Sequence, residues 1–535
     1  MDHALTVDNL TPSRVQGLTS WHADWRGLRV AVLGLGVTGF SVADTLAELG
    51  ASVLVVASKA SGERAAMLEV IGASLVLQPD PAVVPPEVEA FDPDLVVVSP
   101  GYPLDHSLLS WAAARDLPVW GDIELAWRVR DKLGDPADWI AVTGTNGKTT
   151  TVQLVAHLLE TAGLRAAAVG NIGIPVLDAI RYPAGFDVLV VELSSFQLHW
   201  MPRTGPGAMA PAASVCLNLA EDHLDFHGSH EAYAEAKGTV YWNTRLACVY
   251  NRSDPATMRM VEEAEVQEGC RAIGFDLGTP GPSDLGMVDD LVVDRAFLED
   301  RHNSAIELTT HGELAEAGLA SPHMVANVLA AAALVRAVGM TPETVRSGLA
   351  TFRVDHHRTE TVATAGGVAW VDDSKATNPH AADAALRAFP SVVWIVGGLL
   401  KGVDIAPLVL QHRSRLRGAV VIGVNRQPVV EAFARHAPEV PLIEVAATDT
   451  GGVMPHAVRV AGGMASQGDT VLMAPAAASM DQFADYADRG DRFAAAVRDY
   501  LGGGGDDLDA QSAEPGPLDP DPRGPGAAGP GSTAG

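Results

Sequence analysis

Residues Thr143–Thr150 read Thr-Gly-Thr-Asn-Gly-Lys-Thr-Thr and stand where a short apolar run ends and a helical pattern begins. A glycine turn that opens a helix aims backbone N–H groups at an anion. A lysine there adds a point charge for terminal phosphates, and the next hydroxyl suits Mg²⁺. The loop is a shortened variant of GxxxxGK[ST]: five positions before Gly147 stands Val142, and Gly144 leads instead. An ordinary turn is the bland alternative, disfavoured because Gly-Lys-Thr falls at the helix start. Glu192 closes a second apolar run, FDVLVVELS, and Asp222-His223 follow a third within NLAEDHLDFHGS. If these runs are parallel strands, their C-terminal ends share one edge with the loop, and carboxylate and imidazole can reach a metal ion beside a nucleotide. Singly, Glu192 reads as a solvated strand end and His223 as a cap or core histidine, while Lys237 reads as a lysine on a helix face. Convergence on a phosphate loop turns Glu192 and His223 toward chemistry.

Two other groups carry signal. Gly34-Leu-Gly36-Val-Thr-Gly39 fits GxGxxG after a strand and before a helix, the context for a diphosphate at a helix N-terminus. A nicotinamide dinucleotide site also wants an acid about 20 residues on. The second run instead ends Val56-Ala57-Ser58-Lys59, which argues against that cofactor. Either the glycines only allow close helix–strand packing or the loop cradles a different diphosphate. Further along, His357-Arg358, the stretch Asp373-Ser-Lys375-Ala-Thr377-Asn378, Lys401 within GGLLKG, and Ser479 with Asp481 and Phe483 each fall at or after a strand pattern. Alone each reads as surface polarity; together they make a cationic cleft for an anionic substrate.

The elements that must position these groups follow from periodicity. LRVAVLGLG, ASVLVVAS, DLVVVSPG and LPVWGDIEL alternate with helical stretches in a first α/β unit. DWIAVTG, FDVLVVELS, ASVCLNLA and LACVYN form a second, with a helix HMVANVLAAAALVRAVG stopping at Gly339; GGVAWVDDSK, SVVWIVGG, GAVVIGV and DTVLMAPAA form a third. The tail is rich in Gly, Pro and Asp with almost nothing to bury, so disorder is expected there. A chain of 535 residues with 37 Lys+Arg against 66 Asp+Glu carries a net charge of −29, which disfavours a general nucleic-acid coat protein. Three cysteines without metal spacing read as reduced structural thiols, pointing to the cytoplasm, and neither a signal peptide nor a membrane span is expected.

With GDIEL, GNIG, ELSSFQL, AYAEAK, HHRTE, DDSKATNP, GGLLKG and SMDQF added to GTNGKT, the chain resembles the Mur ligases from about Leu28 to Leu501, most closely their D-glutamate-adding branch. These are ATP-dependent amide-forming enzymes of peptidoglycan precursor synthesis, and thus of cell-wall biogenesis, cell shape and division. The resemblance implies an α/β chain of three domains. A Rossmann-like UDP-sugar domain would span 1–120, a P-loop ATPase-like domain 121–352, and a Rossmann-like amino-acid domain 353–501, ahead of the disordered tail 502–535. It implies ATP on Gly144, Thr145, Asn146, Gly147, Lys148, Thr149, Thr150 and Thr151, with Asn171, Asn327, His357, Arg358 and Asp373 around the nucleotide. Mg²⁺ would meet Thr149, Glu192, His223 and Lys237, the last as a carbamylated lysine; Lys148, His223 and Lys237 would be the catalytic groups. Val37, Thr38, Ser58, Lys59 and Gly101 would carry UDP, and Lys375, Thr377, Lys401, Ser479, Met480 and Tyr486 would surround D-glutamate.

Two positions depart from the family pattern: Met324 replaces the usual asparagine after His323, and Tyr486 is a mild change of aromatic. The implied enzyme is an ADP-forming, cytoplasmic acid–D-amino-acid ligase, expected as a monomer, joining UDP-N-acetylmuramoyl-L-alanine to D-glutamate through an acyl phosphate. Another Mur or folylpolyglutamate-type amide ligase is the nearest alternative. A nicotinamide dehydrogenase and a non-catalytic P-loop scaffold are the more distant ones.

Overall fold

The computed structural model describes residues 14–354, 356–446 and 450–502; the tail beyond Gly502, for which disorder is expected from composition, lies outside them. Three β-sheets follow one another along the chain. The first holds β1 (Arg29–Leu33), β2 (Ser52–Ala57), β3 (Ser74–Leu77), β4 (Leu95–Val98) and β5 (Val119–Gly121) in the order β3-β2-β1-β4-β5. All its pairings are parallel. Strands of this kind are covered on both faces, which is why β2 and β4 read as unbroken apolar runs, with Val53, Val55, Val97 and Leu95 buried.

The second sheet runs β6 (Asp138–Thr143), β7 (Ala166–Gly170), β8 (Val188–Glu192), β9 (Ala213–Cys216), β10 (Ala247–Asn251), β11 (Arg271–Phe275), β12 (Asp284–Val288), β13 (Leu291–Asp294) and β14 (Ile306–Thr310). Its order is β14-β13-β12-β11-β10-β9-β6-β8-β7, parallel except for the antiparallel β12-β13-β14 end. Helix Pro322–Ala337 packs against helix Lys148–Thr161, and its run of Val328 to Val335 is entirely buried, as befits a helix that is apolar on nearly every side. The third sheet has β15 (Glu360–Ala365), β16 (Val368–Asp372), β17 (Val392–Gly397), β18 (Leu416–Ile422), β19 (Leu442–Glu444) and β20 (Thr470–Met473) in the order β15-β16-β20-β17-β18-β19. Only the β15–β16 pairing is antiparallel.

Each sheet reverses its winding at a central strand, and a crevice opens at the carboxyl ends of the strands there. In the first sheet that point lies between β1 and β4, where Gly34 and Ser99 follow. In the second it is β6, flanked by β8 and β9, so that the loop after Thr143, Glu192 and the segment after Cys216 emerge side by side. In the third it is β20, flanked by β16 and β17, bringing together Asp373, Ala474 and Gly398.

Candidate active site

Gly147 precedes helix Lys148–Thr161 with φ +82, and a Cβ at this position would lie 2.4 Å from Asn327 Oδ1. The loop therefore closes against the helix that carries Asn327 only because residue 147 has no side chain. Lys148 is partly buried and its ammonium donates to the carbonyls of Gly144 at 2.8 Å and Thr145 at 2.9 Å. Burial lowers its pKa, and Glu192 and Asp222 oppose that shift. Thr149 Oγ1 donates to Glu192 Oε2 at 2.9 Å, while Asn171 donates through Nδ2 to Glu192 Oε1 at 3.0 Å. One buried carboxylate thus joins the phosphate-type loop to the GNIG turn. Thr150 and Thr151 are buried within the first helical turn.

Lys237 lies beneath the same loop, 2 % exposed, donating to Gly144 O at 2.9 Å and facing the Tyr233 ring at 4.8 Å. Burial first, then the neighbouring Lys148, lowers its pKa to about 7. Tyr233 Oη in turn meets Thr145 Oγ1 at 3.1 Å. His223 takes a left-handed backbone at φ +55, packs on Phe196 with ring centroids 4.6 Å apart, and stands 3.5 Å from Asp222. Desolvation lowers its pKa to about 4, so the ring is neutral at physiological pH and keeps a nitrogen lone pair for a hydrogen bond or a metal. Lys401, from the third sheet, reaches to 4.0 Å from Asp222 Oδ1.

The third sheet supplies a tight turn after β16. Thr377 N donates to Lys375 O, Ala376 N to Asp373 O, and Lys375 N to His357 O, which ties the turn to the HHRTE loop. Asp373 is buried, accepts from Thr359 N at 3.0 Å, and is pushed up to about 7 by desolvation. Arg358 stands close enough to lower the pKa of Lys148 across the domain boundary. Lys375 Nζ sits 3.6 Å above the centroid of the Tyr486 ring. Ser479 is buried and Met480 exposed at the end of the segment after β20. His357, by contrast, bonds Asp372 at 2.7 Å, which raises its pKa, and is held within the third domain under Gly490.

A separate cleft of about 520 Å³ opens where the first two sheets meet. Val37, Thr38 and Gly101 form one wall; Asn171, Gly173 and Pro175 form the other. A Cβ on Gly39 would lie 2.2 Å from Gly34 O, so the third glycine of the motif serves helix–strand packing while the whole motif lines the cleft. Ser99 Oγ, buried at the floor, has no hydrogen-bond partner among the described residues. Ser58 and Lys59 are exposed at the end of β2 and do not line this cleft.

Several supporting residues escape sequence reasoning. Asn218 holds the backbone of Asn146 from both sides, accepting from its N–H at 2.9 Å and donating to its carbonyl at 3.2 Å. Arg489 is fully buried, bonds Ser374 and the Ala477 carbonyl, and is pushed down to about 10 by desolvation. Gln197 of ELSSFQL donates to Asp122 of GDIEL at 2.9 Å, joining two motifs that stand 75 residues apart in the chain. Asn218 follows an apolar strand at the sheet edge where ligand loops gather, a positional signal that could have found it.

The Mur ligase middle domain matches residues 142–335, and the Mur ligase glutamate ligase domain matches 357–477. A UDP-N-acetylmuramoylalanine–D-glutamate ligase of Leifsonia xyli is 64% identical over 509 residues, covering 94% of this chain and 98% of that protein. One of Streptomyces avermitilis is 53% identical, covering 89% of this chain and 99% of its own length. Among solved structures, UDP-N-acetylmuramate-alanine ligase MurC from Thermotoga maritima aligns with a TM-score of 0.52 at 20% identity, over 89% of this chain and 99% of that one. MurF from Acinetobacter baumannii aligns at 0.50 and 16% identity, over 83% and 86%. At those identities the structural matches speak for the fold alone.

Proposed function

The chain belongs to the Mur ligase family, and we infer that it is the ATP-dependent ligase that adds D-glutamate to UDP-N-acetylmuramoyl-L-alanine in peptidoglycan precursor synthesis. The observation that carries the site assignment is the meeting of the Gly144–Thr149 loop, Glu192 and Asp222 with Lys401 and Arg358 of the third sheet. A carboxylate and an amine do not condense in water without activation. In this reading the L-alanyl carboxylate oxygen attacks the γ-phosphorus of ATP and ADP leaves. The D-glutamate amine then attacks the acyl phosphate carbon, inorganic phosphate departs, and one proton is released from the amine.

The chain's own groups act on charge and position. Lys148 meets the transferred phosphoryl oxygens, and Arg358 and Lys401 add cations as negative charge collects. Neutral His223 and the Asp222 carboxylate orient donors near the reacting amine. Gly144 to Thr151, with Asn171, Asn327, His357 and Asp373, make the nucleotide environment in this proposal. The cleft at Val37, Thr38 and Gly101 takes the UDP moiety, with Ser99 offering a hydroxyl on its floor, and Ser58 and Lys59, outside its lining at the end of β2, would meet only a part of the ligand that extends beyond it. Lys375, Thr377, Lys401, Ser479, Met480 and Tyr486 form the D-glutamate pocket.

Mg²⁺ belongs to the proposal as well. Among the described residues no three His, Cys, Asp or Glu side chains converge as a ready-made metal cage. That suits Mg²⁺, which keeps waters and phosphate oxygens and takes only one or two protein oxygens. Thr149 and Glu192, already 2.9 Å apart, would hold one ion, and His223 with a carbamylated Lys237 another. Bound there, the ions would neutralise phosphate charge. An amine with a pKa near 7 is free to add CO₂, losing a proton and becoming an anion.

Among the described residues no helix is long and apolar enough to cross a membrane. We place the reaction in the cytoplasm, where reduced thiols persist, and the enzyme as a monomer because one chain carries every group used. The test is direct: purified protein with ATP, Mg²⁺, UDP-N-acetylmuramoyl-L-alanine and either D- or L-glutamate. The expected product is the D-glutamyl adduct by mass, with one ADP per adduct. Equal use of L-glutamate, or ADP release without adduct, would defeat the assignment.

A further inference from the structure

Asn146 occupies the middle of the nucleotide loop, yet its side chain points away from the loop's own domain. Its backbone is fixed from within, since Asn218 accepts from its N–H and donates to its carbonyl. Both polar atoms of its side-chain amide then go to the third domain. Oδ1 accepts from Asn378 Nδ2 at 3.0 Å, and Nδ2 faces His380 Nδ1 at 3.0 Å. The pattern is consistent throughout. Asn378 Oδ1 accepts from Ala381 N at 2.9 Å, capping helix Pro379–Arg387, so its amide nitrogen is the end left for Asn146. Burial lowers the pKa of His380, and a neutral ring can present Nδ1 as an acceptor to the amide N–H₂. Asn378 is itself buried, so water does not compete freely for its donor.

Asn378 ends the rigid turn that carries Lys375 and Thr377, and Asn146 lies two residues before Lys148. We propose that Asn146, Asn378 and His380 form a latch that sets the amino-acid segment at a fixed distance from the phosphate loop, so that the incoming amine meets the acyl phosphate in line. The latch residues of the third domain are positioning residues: they touch the loop, not the reacting atoms. Misplacement by about 1 Å costs on the order of 10²-fold when two reactants must be aligned. The loss falls on amine transfer. Phosphoryl transfer to the L-alanyl carboxylate uses Lys148, the UDP-substrate cleft and a loop whose backbone Asn218 already fixes from within, so it depends on Asn378 less steeply than amine transfer does.

This inference rests on the ligase reading, and the experiment separates the two. Asn378→Asp keeps the helix cap but turns the donor facing Asn146 into an acceptor. His380→Leu removes the acceptor, and His380→Gln restores one. Acyl phosphate formation is read alone, as positional isotope exchange in β,γ-bridge ¹⁸O-labelled ATP with UDP-N-acetylmuramoyl-L-alanine and no D-glutamate. Ligation is read as kcat/KM for D-glutamate. Asn378→Asp and His380→Leu are expected to lower kcat/KM for D-glutamate 10- to 100-fold with exchange within about threefold of wild type, and His380→Gln to recover most of the loss. Exchange falling in parallel with ligation, unchanged ligation, or a glutamine variant as impaired as leucine would overturn the latch. Absence of exchange in the wild type would instead count against the ligase reading itself.

Discussion

Lys148 is a cation in short supply of solvent, with its ammonium held by two loop carbonyls and the charges of Glu192 and Asp222 nearby. Removing it deletes the one side-chain charge that the loop can bring to terminal phosphates. Lys148→Ala is expected to lower ATP-dependent ligation by at least about 10²–10³-fold, with the far-ultraviolet circular dichroism unchanged. Turnover within tenfold of wild type in a folded variant would remove the loop from phosphoryl transfer. Asp373 makes the opposite kind of demand. Its folded pKa is raised from 3.8 to about 7, mainly by desolvation. A raised carboxyl pKa means stability that is full below pH 4 and lost as pH climbs through 7, roughly 4 kcal/mol at most. Asp373→Asn is therefore expected to be more resistant to urea than wild type at pH 8, the gap closing toward pH 4, while its ligase activity falls. An equal difference at both pH values would refute the cause given. The phosphate loop is legible in sequence because its chemistry is local: glycines, lysine and hydroxyl adjoin in the chain. The pairing of Asn218 and Asn378 with Asn146 is not: both stand at strand ends where ligand loops gather, but they meet Asn146 from 72 and 232 residues away, and no spacing rule reaches that far.

The strands that sequence patterning finds are mostly the doubly covered ones: β1, β2, β4, β6, β8, β9, β10, β16, β17, β18 and β20 are apolar runs, as parallel central strands must be, and the short edge strand β5 is found with them, within LPVWGDIEL. Those it passes over include β3, β7, β14, β15 and β19, and every one of these is an edge strand. An edge strand has one neighbour, so half of its surface is free to be polar; β3 and β15 lack a single fully buried residue. The β11–β13 segment is missed for another reason, since a sheet that changes from parallel to antiparallel needs no helix between its strands and shows no alternation. Element context also overrides propensity at Gly490, on the buried side of helix Tyr486–Leu501. Alanine in place of an ordinary helical glycine stabilises by about 0.5–1 kcal/mol. Here a Cβ would stand 2.2 Å from His357 Nδ1 and 2.8 Å from Asp372 Oδ2. Backbone proximity wins over propensity: Gly490→Ala is expected to destabilise by about 2–3 kcal/mol and to break the His357–Asp372 pair. A melting temperature at or above that of wild type would show that the helix shifts freely, and the HHRTE loop would then owe its place to something else.

At the scale of the molecule, the cleft assigned to UDP is made by two domains and has no width of its own. One wall includes the start of helix Val37–Glu48 from the first domain, and the other, from the second, is the GNIG turn with Pro175, which caps helix Val176–Arg181. Farther along, the same two helices are cross-linked: Arg181 pairs with Asp44 at 2.5 Å and Glu48 at 2.8 Å, Ser41 donates to Asp178 at 2.6 Å, and Lys132 joins Glu48. Bracing at one end of two rods sets the gap at the other. Arg181 is the hub, with two acidic partners on the opposite helix, and its side chain is only 20% exposed. Single exposed ion pairs contribute about 0.2–1 kcal/mol, and a hub with two partners contributes on the order of 1–2 kcal/mol. Arg181→Ala is accordingly expected to raise the KM for UDP-N-acetylmuramoyl-L-alanine about 5- to 20-fold, leaving the KM for ATP and the turnover at saturating substrate within twofold. Ionic strength offers an independent check, because screening weakens the same bridges in wild type. Raising salt to 1 M should lift the wild-type KM for the UDP substrate toward that of the variant, and should move the variant less. Were Arg181→Ala to change the ATP constant equally, the two helices would be bracing the central domain as a whole, and the cleft would take its width from the sheets beneath it.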